Sequence, residues 1–256
     1  MPPRSKTCWR TVRYTSSSQP ESGRTVAELR VNQALRAYTD ARAFVRQHTR
    51  PQTPQLLPEL ELHLAHEMLP LWQMTEDELA DQDIPPPYWA FAWAGGQALA
   101  RYVLDAPDTV AGRRVLDLAT GCGVVAIAAA LAGAAHVRAV DIDPFACAAV
   151  ACNAPHNRIF NVTVDYVDVL DTSMADVDIV LAGDVFFEQP MASRMEAWLR
   201  QQVAHGIDVV VGDPQRTYMP ADRVTRVAHY TVPTTRELED SDLRNASVWR
   251  FDTSRV

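Results

Sequence analysis

The 256-residue chain carries 24 Lys and Arg against 32 Asp and Glu, a net charge of −8. That balance disfavours a general nucleic-acid binder and assists the approach of a basic protein surface, and no apolar run is long enough for a bilayer-crossing helix, so neither nucleic acid nor membrane is an expected partner. The length allows one full-sized domain plus an extension without a metal or disulfide staple, and Cys8, Cys122, Cys147 and Cys152 form no C-x-x-C pair, which fits a reducing compartment.

Residues 1–23 hold Arg4, Lys6, Arg10 and Arg13 among Ser and Thr, with no acid before Glu21. The composition resembles an organellar transit peptide, but the Ala/Arg-rich body favours a bacterial chain with an upstream extension or a misplaced start codon. The expected location is the bacterial cytoplasm, with the mitochondrial matrix as the alternative. Arg24 to His48 reads as a helix with a modest apolar stripe. Three prolines between Arg50 and Pro58 mark a linker, and Leu60 to Met68 reads as a short helix. That segment contains His63 and His66, but the order is H-x-x-H-E and not the H-E-x-x-H of a metalloprotease, so surface histidines are expected and no metal. Thr75 with Glu78 forms a capping box. Tyr88 to Leu99, YWAFAWAGGQAL, sets large aromatics before Gly95-Gly96 and a helix to about Leu104. Aromatics at this spacing usually face a core, but a ring beside a cation gains attraction, and Trp93 is the one expected to line a site.

The stretch from Val115 to Asp143 organises the chain. Val115 to Ala119 form a strand holding one carboxylate, Asp117, and Gly121-Cys122-Gly123 turns the backbone sharply. An Ala-rich helix from Val124 to Ala132 closes at Gly133, and a strand from His136 to Val140 ends on Asp141 and Asp143. The pattern G-x-G-x-x-G/A with Asp141 some 20 positions on, a spacing read from the sequence, leaves a dinucleotide site open. A cofactor-free core is also open. Asp117 and the acidic strand ends favour a cationic sulfonium over a pyrophosphate. Further strands are expected at Val162 to Val167, ending on Asp168-Val169, at Asp178 to Ala182, running into GDVFFE, and at Ile207 to Val211, running into GDPQR. A helix, Gln189 to His205, lies between the last two, and an antiparallel pair, Arg223 to Val232 with Ala246 to Asp252, closes the sheet. Carboxylates thus gather at strand C-termini, where open α/β sheets bind ligands. The GDPQR turn is read as a substrate contact or a structural turn.

PPPYWAFAWAGGQALARYVLD, VLDLATGCG, AVDIDPFA, LAGDVFFE and VVVGDPQR together resemble the seven-β-strand (class I) protein lysine methyltransferases, most closely the electron transfer flavoprotein β-subunit lysine methyltransferase family, from about Phe44 onward. Ala119 stands where the first motif usually has glycine. The resemblance implies an α/β, Rossmann-like fold with a seven-stranded, mostly parallel sheet, an antiparallel closing strand and an N-terminal helical extension. It divides the chain into an extension (1–50), a helical lead-in (51–90) and a methyltransferase domain (91–256). The cofactor implied is S-adenosyl-L-methionine, held by Trp93, Asp117, Ala119, Gly121, Gly123, Asp141, Ile142, Asp168, Val169 and Gly183. Asp184 and Phe187, the D-x-x-(Y/F) positions, would receive the lysine, with Glu188 alongside. The partner implied is the β subunit of electron transfer flavoprotein; the alternatives are another protein, such as a ribosomal protein, or a small amine. A non-catalytic partner protein is a different class of reading, against which the intact Asp117, Gly121, Gly123, Asp141 and Asp184 argue.

Overall fold

The computed structural model of the chain describes residues 40–65, 86–235, 239 and 241–252. The part of the expected Arg24 to His48 helix before residue 40 and the Thr75 capping box lie outside them. Residues 41–48 are helical (α1). Two short strands follow, β1 (Arg50–Gln52) and β2 (Leu62–Leu64), then α2 (Ala94–Asp105), β3 (Arg114–Leu118), α3 (Val124–Leu131), β4 (His136–Asp141), α4 (Pro144–His156) and β5 (Val162–Tyr166). The chain continues through β6 (Ile179–Gly183), α5 (Met191–Ala204), β7 (Asp208–Asp213), β8 (Val224–Pro233) and β9 (Leu243–Phe251).

Seven strands form one sheet in the order β5-β4-β3-β6-β7-β9-β8. The pairs among β3 to β7 are parallel, and β9 is antiparallel to both of its neighbours. The order reverses between β3, which turns toward β4, and β6, which starts the other half. Such a switch opens a crevice at the strand C-termini. Strand period 2 sorts the side chains. Val115, Ile179, Leu181 and Val210 join α2 and α3 on one face, while Leu116, Val180, Ala182, Val209 and Val211 meet Trp198 and Leu199 of α5 on the other.

Helix ends follow their local chemistry. The Asp143 side chain accepts from the Phe145 N–H at 2.8 Å to cap α4, with Pro144 at its first position. Gly133, at φ +91°, ends the turn after α3.

The segment around residue 60 differs from the helix expected there. Leu62–Leu64 is a strand, paired antiparallel with Arg50–Gln52 inside the expected linker. Leu60, Leu62 and Leu64 alternate inward and are buried, a period of two over too few residues to distinguish from a helix turn. Pro51 is tolerated because this ribbon has only two strands, so every strand is an edge. Leu57, Leu60, Leu62 and Leu64 share the core of α2, so this lead-in packs on the same hydrophobic centre as the sheet. His63 is half-buried, its ring edge-on to His156 with centroids 5.4 Å apart. His66 lies outside the described residues.

Candidate active site

The crevice has two halves. In the first, β3 ends in a loop where three residues adopt positive φ: Ala119 (+54°), Gly121 (+54°) and Gly123 (+82°). Gly123 is fixed by packing, since a Cβ there would lie 2.9 Å from Val150 Cγ2 on α4. At Gly121 a Cβ would meet nothing within 4 Å. The loop therefore presents open backbone to the crevice at that point. The Gly121 N–H donates to Asp141 Oδ2 at 3.0 Å and the Asp143 N–H to Asp141 Oδ1 at 3.0 Å, which ties the end of β4 to the glycine loop. Each Asp141 oxygen keeps a lone pair for a ligand hydroxyl. Ile142 follows with its side chain 55% exposed, an apolar surface beside a carboxylate, as a purine ring next to a ribose would require.

Ala119 is exposed and left-handed without the freedom of glycine. That conformation costs an L-residue roughly 1–2 kcal/mol, of which roughly 0.4–1 kcal/mol is offset because alanine restricts the unfolded chain. Ala119→Gly is expected to raise the melting temperature by about 2–4 °C for a net gain of about 1 kcal/mol. A lower melting temperature in calorimetry would mean that the methyl group makes contacts outweighing the strain.

Asp117 points inward. It is 1% exposed, and its Oδ2 accepts from Thr120 Oγ1 at 2.5 Å and from the Ala126 N–H at 3.0 Å, bracing β3 against the first turn of α3. Its direct bonds are to protein, so its contribution to a ligand is the field it adds. Burial pushes its pKa up to about 7 against the lowering effect of these bonds. A folded pKa above the unfolded value means that the native state holds a proton the unfolded chain has lost between about pH 4 and 7. Stability should fall with rising pH there by about 1.4 kcal/mol per pH unit for one such group. Asp117→Asn should flatten the dependence of urea-unfolding free energy on pH between 4.5 and 6.5; an unchanged slope would exclude Asp117 as a source of it. Burial pushes Asp143 up to about 7 as well, and Asp141 in the same direction. Once ionised, these three neighbouring carboxylates repel a pyrophosphate and attract a cation, and a bound cation in turn favours their ionised form.

At the end of β5, Asp168 Oδ1 accepts from the Leu170 N–H at 3.0 Å, and Oδ2 pairs with Arg194 of α5 at 2.7 Å. Val169 is buried in the core beneath α5, so only its backbone can face a ligand. Gly183 serves close packing: a Cβ there would lie 2.8 Å from Gly96 Cα.

The second half is built on the ends of β6 and β7 under the N-terminus of α2. Asp184 is 8% exposed with φ +56°. Its Oδ2 accepts from the Gly96 N–H at 2.8 Å, and its Oδ1 accepts from Nε and Nη2 of Arg216 at 3.2 and 2.9 Å. Burial raises its pKa, and the Arg216 guanidinium acts against that. Glu239 accepts from the Ala94 N–H at 3.3 Å and from Arg216 Nη2 at 3.1 Å. Two carboxylates therefore cap α2, whose N-cap Trp93 supplies no side-chain cap, at the helix end where negative charge is favoured. The approach is close because of glycine. A Cβ on Gly95 would lie 2.6 Å from Asp184 Oδ2 and closer still to the Gly212 carbonyl.

Aromatic rings frame this half. Trp93 is half-buried and donates from Nε1 to the Tyr88 carbonyl at 2.9 Å. The Tyr88 ring meets Trp93 at 6.0 Å and Phe187 at 5.4 Å, both edge-on, and Phe91 meets Trp93 at 5.9 Å. Phe187 is 41% exposed while its neighbour Phe186 is fully buried, so one ring anchors the turn and the other faces out. Glu188 is exposed, and its carbonyl accepts from the Ala192 N–H to start α5.

Trp93, expected with the cofactor, stands instead with the rings beside Phe187 and under Arg216, the partner of Asp184, whereas Glu188 makes no side-chain hydrogen bond or ion pair with them. Asp213 and Arg216 stand in the GDPQR turn, which was read as a substrate contact or a structural turn without a role for either residue, and Glu239 and Tyr88 were missed as site residues. For Arg216 the signal was Asp213-Pro214, a turn-forming pair whose carboxylate accepts the Arg216 N–H at 2.6 Å. Glu239, far along the chain in a polar stretch, gave none.

A parallel sheet with one reversed strand, a glycine turn after its first long strand and carboxylates at successive strand ends defines a class I S-adenosylmethionine-dependent methyltransferase. The model of the ribosomal protein L11 methyltransferase (PrmA) family matches residues 97–186. The chain is 34% identical to the electron transfer flavoprotein beta subunit lysine methyltransferase of Rattus norvegicus over 216 residues, 82% of this chain and 84% of that one. The Danio rerio protein of the same name is 34% identical over 251 residues, 96% of this chain and 90% of that one. A ribosomal protein L11 methyltransferase from Methylococcus capsulatus is 41% identical over 115 residues, 44% of this chain and 37% of that one. The chain belongs to the electron transfer flavoprotein β-subunit lysine methyltransferase family.

Proposed function

We propose that the protein transfers a methyl group from S-adenosylmethionine to a lysine of the electron transfer flavoprotein β subunit. The observation that carries this reading is the second half of the crevice: a buried carboxylate, Asp184, beside the rings of Trp93, Tyr88 and Phe187. That is a fitting receptor for a long apolar stem ending in an amine. S-adenosylmethionine, when bound, supplies an electrophilic methyl group on a sulfonium. Asp141 and the open backbone at Gly121 would hold its ribose and aminoacyl parts, Ile142 would lie against the adenine, and Asp168 and the Val169 backbone would border it. Phe187 and Tyr88 would line the lysine stem, and Asp184 would accept an N–H of the amine and orient its lone pair.

Methyl transfer is an in-line displacement, so alignment supplies much of the rate. The lysine, with a solution pKa near roughly 10.4, must arrive without its proton. The L11 methyltransferase family match ends at residue 186, before Phe187 and the Asp213–Arg216 turn, whereas the lysine methyltransferase relatives match over most of the chain. This difference favours the flavoprotein over a ribosomal protein as substrate. We place the reaction in the bacterial cytoplasm; the buried free thiols of Cys122, Cys147 and Cys152 support a reducing compartment. Incubation with labelled S-adenosylmethionine and the purified β subunit should label lysine. Label on a different protein of a lysate, with none on that subunit, would overturn the substrate.

A further inference from the structure

Asp184 is held more completely than an amine receptor needs to be. An ionised carboxylate offers about four lone-pair directions, and three donors already point at this one: the Gly96 N–H and the Nε and Nη2 groups of Arg216. One direction is left. Arg216 is fixed in turn on three sides. Its own N–H donates to Asp213 Oδ1, its Nη2 also reaches Glu239 Oε1, and its guanidinium carbon lies 5.9 Å from the centre of the Trp93 ring. The three charged side chains are 20%, 9% and 3% exposed for Arg216, Asp184 and Glu239. A largely buried cation therefore stands between two buried carboxylates beside the ring that borders the acceptor amine.

We propose that Arg216 is a positioning residue for the acceptor amine: it cancels the charge of Asp184 and fixes that carboxylate with one acceptor direction free, so that the site takes lysine as the free amine and disfavours the ammonium. This rests on the reading of Asp184 as the amine acceptor. An unneutralised buried carboxylate would stabilise an ammonium and raise the pKa of bound lysine, yet an ammonium has no lone pair for the displacement. Among the described residues, the charged groups around Asp184 are Asp213 at the end of β7, Arg216 from the turn after it and Glu239 from the segment before β9, with Arg244 3.9 Å from Glu239. The N–H groups at the α2 N-terminus complete the set. Without Arg216, the carboxylates of Asp184, Asp213 and Glu239 would have, among the described residues, only the more distant Arg244 facing them, and both Asp184 and the bound lysine would hold their protons to higher pH.

The test compares the pH dependence of kcat, which reports groups in the enzyme–substrate complex, on the β subunit for the wild type, Arg216→Met and Arg216→Lys. The acidic limb of Arg216→Met should move up by about one pH unit, roughly a tenfold loss at a fixed pH on that limb. Arg216→Lys keeps the charge and loses the fork, so it should show the wild-type limb at lower kcat. An unshifted limb in Arg216→Met, or an equally shifted one in Arg216→Lys, would overturn the proposal, because a purely structural role lowers kcat without moving the limb. Binding of n-butylamine with S-adenosylhomocysteine present, followed by NMR, gives a readout that needs no turnover. Wild-type affinity should rise with pH, and Arg216→Met should bind the ammonium about tenfold tighter at pH 7. Equal affinities would overturn the role of Arg216. A wild type that fails to methylate the subunit would count against the substrate, and the amine comparison would still decide the role of Arg216.

Discussion

Asp184→Ala is expected to lower methyl transfer by about 10²-fold or more, the scale on which misplacing a reacting group is felt, while S-adenosylmethionine affinity changes little. The expectation follows from where Asp184 stands. It is 8% exposed and joins the end of β6 to the Gly96 N–H and the Arg216 guanidinium. None of its bonds reaches the glycine loop or Asp141, where the cofactor would lie. The same change leaves the largely buried Arg216 cation with Glu239 as its remaining ion-pair partner among the described residues, and breaking one side of such a network costs up to about 3–5 kcal/mol. Activity should therefore be compared at a temperature where calorimetry shows the variant folded. Asp184→Asn separates the two effects: it keeps the shape and an acceptor oxygen but loses the charge, so it should be the more stable and still slow. Full transfer by Asp184→Ala would remove this residue from the acceptor site. A fall in cofactor affinity matching the loss of rate would instead place it in the cofactor half.

Gly95→Ala should be a severely damaging single-methyl change, as should Gly212→Ala across the same contact. A Cβ there would sit 2.6 Å from Asp184 Oδ2 and closer still to the Gly212 carbonyl, and neither neighbour is the loose end of a flexible chain. Gly183→Ala drives a Cβ to 2.8 Å from Gly96 Cα across the same contact. Overpacking of this kind costs typically about 1–3 kcal/mol. Here it would also lift the α2 N-terminus off the Asp184 and Glu239 carboxylates that cap it. Both variants should melt lower and transfer methyl groups more slowly, whereas Gly112→Ala, with open space around its Cβ position, should show only its backbone strain at φ +71°. Equal melting temperatures for Gly95→Ala and Gly112→Ala would mean that α2 shifts freely, and the close contact would not matter.

The parts written in local pattern were legible in the sequence. Strands β3, β4, β6 and β7 are mostly apolar runs with a carboxylate at or next to their ends, their helices are bounded by Gly123, Gly133 and Asp143, and these signals act within a few residues of one another. The crevice at the strand ends follows from them, because parallel strands must leave the sheet at the same edge. The antiparallel pair β8 and β9 was also readable from alternation. The β1–β2 ribbon was not, because three residues each are too few for a period to declare itself.

What only the tertiary structure decided is who touches whom at the strand ends. A list of acidic residues does not say which ones face a ligand, since orientation depends on packing many residues away. Asp117 faces inward to Thr120 and Ala126, Val169 turns into the core, and Gly183 spends its missing side chain on Gly96. Nor does sequence separation reveal that Ala94, Gly96, Asp184, Arg216 and Glu239 form one linked group, because their bonds span up to 145 positions. By itself the sequence determined the sheet, its glycine loop and the presence of acidic strand ends, since these come from propensity and periodicity along the chain. The closing of α2 onto β6 and β7 decided the charge and aim of Asp184, because burial and the Arg216 guanidinium act on that carboxylate only once distant segments meet.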